Sequence, residues 1–387
     1  LGNPYRIRKA IEKSKAGKEV TLAYIGGSIT QGAGAIPIHT ECYAYKSFQL
    51  FQNRFSTQNN VRFIKAGVGG TPSELGMIRF DRDVLREGER PDIVVIEFAV
   101  NDEGDETKGV CYESLVRKVL KLPWKPAVVL LFSVFANDWN LQERLRPVGD
   151  LYDLPMVSIR DAVTPQFSLK CGEGRILSKN QFFYDIFHPN NTGHTIMADC
   201  LQYLFERCDA AEPARVGTFV EGMTEEQILS EKLSGPAVIG ADFERIFLLD
   251  KKNRYVGAKI RAGGFTSTDM ELQSVEMDGN LTQTPEFPYN WMYDGSRLQM
   301  PGFEMEITCK SLFLIFKDSG EMDVGKADVF VNDVYCMTAD PHKNNWLHCN
   351  AVLLFWETES RSHKVRIAVT EEDRNKKFTI LGFGYTI

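Results

Sequence analysis

Leu22-Ala-Tyr-Ile-Gly-Gly-Ser-Ile-Thr-Gln31 is the stretch on which the reading of this chain turns. The apolar run over 20–25 predicts a short buried strand. It ends in Gly26-Gly27 and then presents Ser28. Two glycines let the backbone turn tightly with no side chain in the way. A serine just past the carboxyl end of a buried strand stands where open α/β sheets place their ligands. Thr30 occupies the position two after Ser28, so the Gly-x-Ser-x-Gly nucleophile elbow is not matched. Gly-Gly-Ser is also ordinary loop chemistry, and the rest of the chain has to decide between the two.

Working outward, strand and helix signals alternate. Further strands are predicted over 61–64, 92–98, 127–134 and 156–159. Helical patterns cover 5–16, 41–55, 110–120, 141–151 and 192–207, and another opens at Thr71-Pro72 and runs to about Glu87. This alternation calls for a parallel sheet with helices on both faces. Around Ala210-Ala-Glu-Pro-Ala-Arg215 the character changes. From residue 241 onward short runs rich in β-branched and aromatic residues take over, among them 245–249, 311–316, 327–331, 352–356 and 365–369. Turns such as Asp278-Gly-Asn280 and Asp294-Gly-Ser296 separate some of them. The pattern predicts an antiparallel β-sandwich of jelly-roll type. The expected division is a catalytic domain over 1–210, a connector over 211–240 with a short helix at 224–233, and the sandwich over 241–387.

Three later stretches carry residues with chemistry to offer. Lys65-Ala-Gly-Val-Gly-Gly-Thr71 follows the second strand, Glu97-Phe-Ala-Val-Asn-Asp102 closes the third, and Asp185-Ile-Phe-His-Pro189 precedes the last helix. With the opening stretch they resemble, in order, the four blocks of the SGNH (GDSL-type) hydrolase superfamily. The resemblance spans roughly residues 20 to 205. It implies a three-layer flavodoxin-like fold with strand order 2-1-3-4-5 and an esterase activity. Three departures stand out: Gly26-Gly27-Ser28-Ile29 for Gly-Asp-Ser-Leu, Lys65 where Asn-x-Gly would begin, and Ala-Val before Asn101. None replaces a residue that would do chemistry.

Serine is a poor nucleophile until a base takes its proton. His188 lies three residues after Asp185 in a turn-forming stretch. One short loop can therefore set a carboxylate beside the imidazole and present the other ring nitrogen to Ser28. A backbone carbonyl is the alternative orienter to Asp185. Acyl transfer also needs donors aimed at the developing oxyanion. The resemblance assigns these to the backbone N–H of Ser28, the backbone N–H of Gly70 and the side-chain amide of Asn101. Gly69 competes with Gly70, and helix capping is the competing role for Asn101. Asp102 and His194 fit local structural roles. His39, His342, His348 and His363 show no metal-ligand spacing, so neither a metal nor another cofactor is expected.

The 387 residues are enough for two domains, and 43% apolar with 25% charged residues is the balance of a globular protein. A net charge of −7 argues against nucleic acid or an anionic membrane as partner. No apolar run reaches the length of a membrane span. The first residues hold no signal-peptide apolar region. The eight cysteines are scattered and read as buried free thiols. Together these predict a cytoplasmic protein. Trp139 follows the fourth strand on the catalytic side, and Trp291 and Trp346 sit among polar residues in the second half. All three are candidates to stack on sugar rings, with core packing as the alternative. A serine esterase joined to a β-sandwich resembles two-domain bacterial carbohydrate acetylesterases, including acetyl-mannan esterases. The expected substrate is accordingly an acetylated oligosaccharide or another small acyl ester. A lipase or thioesterase for other acyl esters, and a glycan-binding protein on a non-catalytic scaffold, are the rivals.

Overall fold

Val20–Gly26 carries seven consecutive buried residues. A strand buried on both faces belongs inside a sheet that helices cover from two sides. The computed structural model, which describes residues 2–211, 223–296 and 300–387, has that arrangement. Five parallel strands, β1 (Val20–Gly26), β2 (Val61–Gly67), β3 (Ile93–Glu97), β4 (Ala127–Phe132) and β5 (Met156–Ser158), pair in the order β2-β1-β3-β4-β5. The register runs Gly26 opposite Gly67 and Gly26 opposite Glu97. The carboxyl ends of the three strands that carry predicted site blocks are therefore level with one another.

The helices around this sheet are α1 (Tyr5–Lys15), α2 (Ser28–Gln31), α3 (Ile38–Glu41), α4 (Tyr43–Phe55), α5 (Ser73–Phe80), α6 (Val110–Leu120), α7 (Gln142–Tyr152), α8 (Ile159–Phe167), α9 (Lys179–Phe182), α10 (Asn191–Asp209) and α11 (Glu225–Ser234). The helix expected to run from Pro72 to Glu87 is shorter, with Pro72 outside it as the N-cap and a wider turn, Asp81–Leu85, after it. Helix α8 is not among the expected helices; it carries Pro165 near its last turn.

The chain divides into two units, Leu1–Glu244 with Val275–Gln283, and Arg245–Ser274 with Thr284–Ile387. The first unit reaches Glu244, past the expected domain end at 210 and through the stretch expected as a connector, for a physical reason. Buried Glu113 accepts the N–H groups of Val238, Ile239 and Gly240, at 3.0, 2.5 and 2.9 Å. Arg117 pairs with Glu244 and also donates to the carbonyl of Leu233 at 2.7 Å. Part of the expected connector, 212–222, lies outside the described residues.

Beyond residue 244 come β6 (Phe247–Leu249), β7 (Ala258–Arg261), β8 (Ser274–Glu276), β9 (Gln283–Pro285), β10 (Trp291–Tyr293), β11 (Phe303–Asp318), β12 (Ala327–Val331), β13 (Val334–Ala339), β14 (His348–Val369) and β15 (Phe378–Thr386). Eight of them form an antiparallel sheet with the path β10-β15-β11-β14-β12-β13, to which β6 and β7 add at β15 and β11. The runs 352–356 and 365–369, expected as two strands, are one strand of 22 residues. Between them, Arg361 to Lys364 pairs with Cys309 to Glu306 of β11, and 357–360 falls at a register shift before pairing resumes at Trp356 opposite Ser311. All eight cysteines are free; five are buried, while Cys171 and Cys336 are exposed. No helix among the described residues is long and apolar enough to cross a membrane.

One buried guanidinium ties the ends of the central strands. Arg79, from α5, donates to the carbonyls of Ala66 at 2.7 Å and Gly26 at 2.8 Å, and pairs with Asp83 at 3.0 Å. Burial opposes the charge of Asp83, but Arg82 and Arg79 hold its carboxyl below the usual range. Arg79→Met should therefore lower stability by about 3 kcal/mol, the low end for a broken buried pair because Arg82 remains. Urea unfolding checks this; a midpoint unchanged from wild type would show that the pair contributes nothing.

Candidate active site

Ser28 opens a four-residue helix whose C-cap, Gly32, turns back at φ 111°. The first N–H groups of a helix have no partner within it, so the helix itself does not use the Ser28 N–H. The preceding glycine is required by space. A Cβ on Gly27 would come within 2.3 Å of Asn101 Oδ1 and 2.8 Å of its Nδ2. The Asn101 amide thus lies flat against the backbone that carries the serine. Its Oδ1 is buried with no hydrogen-bond partner among the described residues. Helix capping falls instead to Asp102, whose Oδ1 accepts the N–H of Ser73 at 2.7 Å.

His188 Nε2 stands 2.9 Å from Ser28 Oγ. On the other side of the ring, Nδ1 is 2.8 Å from Asp185 Oδ2 and 3.1 Å from Oδ1. Asp185 Oδ1 also accepts the N–H groups of Phe187 at 2.7 Å and His188 at 2.8 Å. The carboxylate that orients the ring therefore also closes the turn that holds it. Burial works against its charge, yet the bonds from His188 and Phe187 hold the carboxyl below its usual range. The alternative of a carbonyl orienting the ring does not arise. The same loop is tied to the end of β4, where the N–H of Ala136 donates to the carbonyl of Ile186 at 3.0 Å.

At the end of β2, Gly70 has φ 72°, a left-handed conformation that favours glycine. The N–H of its neighbour Gly69 is committed to Gln31 Oε1 at 3.0 Å. His194 is structural: Nδ1 accepts the N–H of Tyr43 at 3.1 Å and Nε2 donates to the carbonyl of Ala33 at 3.0 Å. Burial pushes its pKa down to about 4, so the ring is neutral.

The three tryptophans fare differently. Trp139 is half-buried and stacks on Phe135 at 5.8 Å; Phe135 meets Phe187 at 5.1 Å, beside His188. Trp291 is only 6% exposed and packs against Phe303 and Phe383 in the core of the second unit. A ring this buried presents no open face to a sugar, so the core reading replaces the expectation for Trp291. Trp346 is 45% exposed in the second unit, next to His348. Among the described residues, no group of three or more His, Cys, Asp or Glu is arranged to hold a metal ion.

The GDSL-like lipase/acylhydrolase family model matches residues 24–196. The match lies within the first unit. The fold of the whole chain has a solved counterpart over 99% of this chain and 95% of the other, a two-domain esterase active on acetylated mannans, with TM-score 0.79 and 23% identity. A crystal of such an esterase grown with mannopentaose gives TM-score 0.75 at 24% identity. Identities this low establish likeness of fold. No curated protein sequence matches the chain.

Sequence reasoning missed the support beneath the nucleophile. Glu97, wholly buried at the end of β3, accepts the hydroxyls of Thr30 at 3.0 Å and Ser133 at 2.6 Å. The signal was available: a carboxylate closing an apolar run has to be paired or neutral. Burial raises its pKa to about 7, against the hydroxyls and the N–H of Gly27, which lower it. Both partners are hydroxyls that accept as readily as they donate, so the protonated acid keeps its contacts. A folded pKa raised above the unfolded value favours folding below the unfolded pKa of about 4.5, and that contribution is lost as pH rises through about 7. Wild-type stability should therefore fall relative to Glu97→Gln between pH 5 and 8, on the order of a few kcal/mol. Urea midpoints across that range measure it; parallel profiles would mean that Glu97 stays ionised in the fold.

Proposed function

We propose that this chain hydrolyses O-acetyl esters on carbohydrate hydroxyls through an acyl-enzyme on Ser28. The observation that carries this is the continuous relay from Ser28 Oγ to His188 Nε2, 2.9 Å, and from Nδ1 to Asp185, 2.8 Å. As Oγ bonds to the acyl carbon, His188 takes its proton, and Asp185 stabilises the imidazolium. The carbonyl oxygen becomes an anion held by the N–H of Ser28, the N–H of Gly70 and the amide of Asn101. The commitment of the Gly69 N–H to Gln31 supports Gly70 as the donor. His188 then returns the proton to the sugar oxygen, which leaves as the alcohol. Water repeats the steps on the acyl-enzyme and releases acetate.

The substrate class is supported by the shared fold with an esterase active on acetylated mannans. Trp139, joined through Phe135 and Phe187 to the histidine, offers a stacking face in the first unit. Trp346 offers one in the second. The complete relay speaks against a purely glycan-binding scaffold. A second reading has its own observation: Ile186 and Phe187, between Asp185 and His188 in the turn, are 65% and 46% exposed and would suit a longer acyl chain.

Ser28→Ala should abolish acetate release from acetylated manno-oligosaccharides. Asn101→Ala should lower kcat about 10²- to 10³-fold with KM little changed, the signature of one lost oxyanion donor. Nitrophenyl esters of increasing chain length separate the two readings. Fastest turnover of acetate supports the proposal, and fastest turnover of octanoate hands the site to the second reading.

A further inference from the structure

Strands β8 and β9 lie far along the sequence from Ser28, yet residues 275–283 fold as part of the first unit. Asp278 anchors them. Its Oδ1 accepts the N–H of Lys65 at 2.9 Å, and Arg86 forks onto the carboxylate at 2.8 and 2.9 Å. The Tyr45 ring packs over Gly279, where an added Cβ would meet it at 2.9 Å.

This anchoring delivers one carboxylate, that of Glu276, which is 8% exposed. Its Oε1 accepts Gln283 Nε2 at 3.0 Å, and its Oε2 accepts Gln31 Nε2 at 3.1 Å. Gln31 ends the helix that Ser28 begins, and its Oε1 accepts the Gly69 N–H at 3.0 Å. The Gln31 carbonyl accepts the ammonium of wholly buried Lys65 at 2.8 Å. An amide between an acceptor and a donor has only one productive orientation, with nitrogen to the carboxylate and oxygen to the N–H. Turned over, it would set oxygen against oxygen and N–H against N–H.

We infer that Glu276 and Gln31 are positioning residues for the oxyanion loop: Glu276 fixes the Gln31 amide, and that amide holds the Gly69 peptide so that the next N–H, of Gly70, faces the acyl oxygen. The inference rests on the ester-hydrolase reading of the site. Neither residue touches the reacting atoms. A segment from the second half of the sequence thereby completes the donor set of the first unit.

A double-mutant cycle on nitrophenyl acetate tests it. Q31A and E276A should each lower kcat on the order of 10- to 100-fold, less than or comparable to the loss of a whole donor, with KM little changed. Because both act on one peptide, Q31A/E276A should be no slower than the slower single variant. Q31E sets carboxylate against carboxylate and should also be slow. The swap Q31E/E276Q restores every bond: the carboxylate at 31 accepts the Gly69 N–H and the amide at 276, whose oxygen still accepts from Gln283. It should recover most of the wild-type kcat. If E276A does not fold, the comparison of Q31E with Q31E/E276Q carries the test. Multiplying losses, losses confined to KM, or a swap no better than Q31E would overturn the inference while leaving an active wild type as an esterase. A wild type that turns over no ester would overturn both.

Discussion

The Asn101 amide rests on the bare backbone of Gly27, and no atom can be added between them. That contact brings the end of β3 against the turn after β1, at a spacing set by the sheet itself. Parallel pairing makes the strand ends level, as Gly26 stands opposite both Gly67 and Glu97. The turns that leave those ends then have little room to differ. The serine, the amide and the glycine loop converge because the strands beneath them are locked in register. Only the histidine comes from elsewhere, on a turn that its own aspartate closes.

Charge buried under this surface is arranged by the same economy. Arg79 binds the carbonyls at the ends of β1 and β2, Lys65 binds that of Gln31, and Glu97 gathers the hydroxyls beneath the serine. Buried polar groups are tolerated where their bonds are satisfied, and a satisfied network rigidifies what it joins. Oxyanion donors need such rigidity, since they act by being in place before charge develops. Burial favours the neutral form of Glu97, which keeps both hydroxyls as partners.

Much of this was legible in the sequence, for identifiable reasons. Strands buried on both faces leave unbroken apolar runs, so five strands and most helices of the first unit declared themselves. The serine and Asn101 follow such runs directly, and the Asp-x-x-His turn is a compact motif before the last long helix, so local sequence carries all three. The support of the site was hidden because it is non-local. Gln31 and Glu276 are 245 positions apart and meet only through folding. In the second unit, runs rich in β-branched and aromatic residues marked the strands, but the polar residues from 357 to 362 concealed that two runs are one strand. Trp291 misled because polar neighbours in sequence are not neighbours in space; its ring lies among Phe303 and Phe383.

The central claim is that Ser28 carries the acyl group between two half-reactions, with His188 as its base. Acid quenching during turnover of nitrophenyl acetate, followed by peptide mass spectrometry, tests this most directly. The account predicts one acetyl group on the peptide containing Ser28, appearing in a burst and missing when His188 is replaced by Ala. Turnover with no acetylated peptide, or acetyl on another side chain at the burst rate, would contradict it.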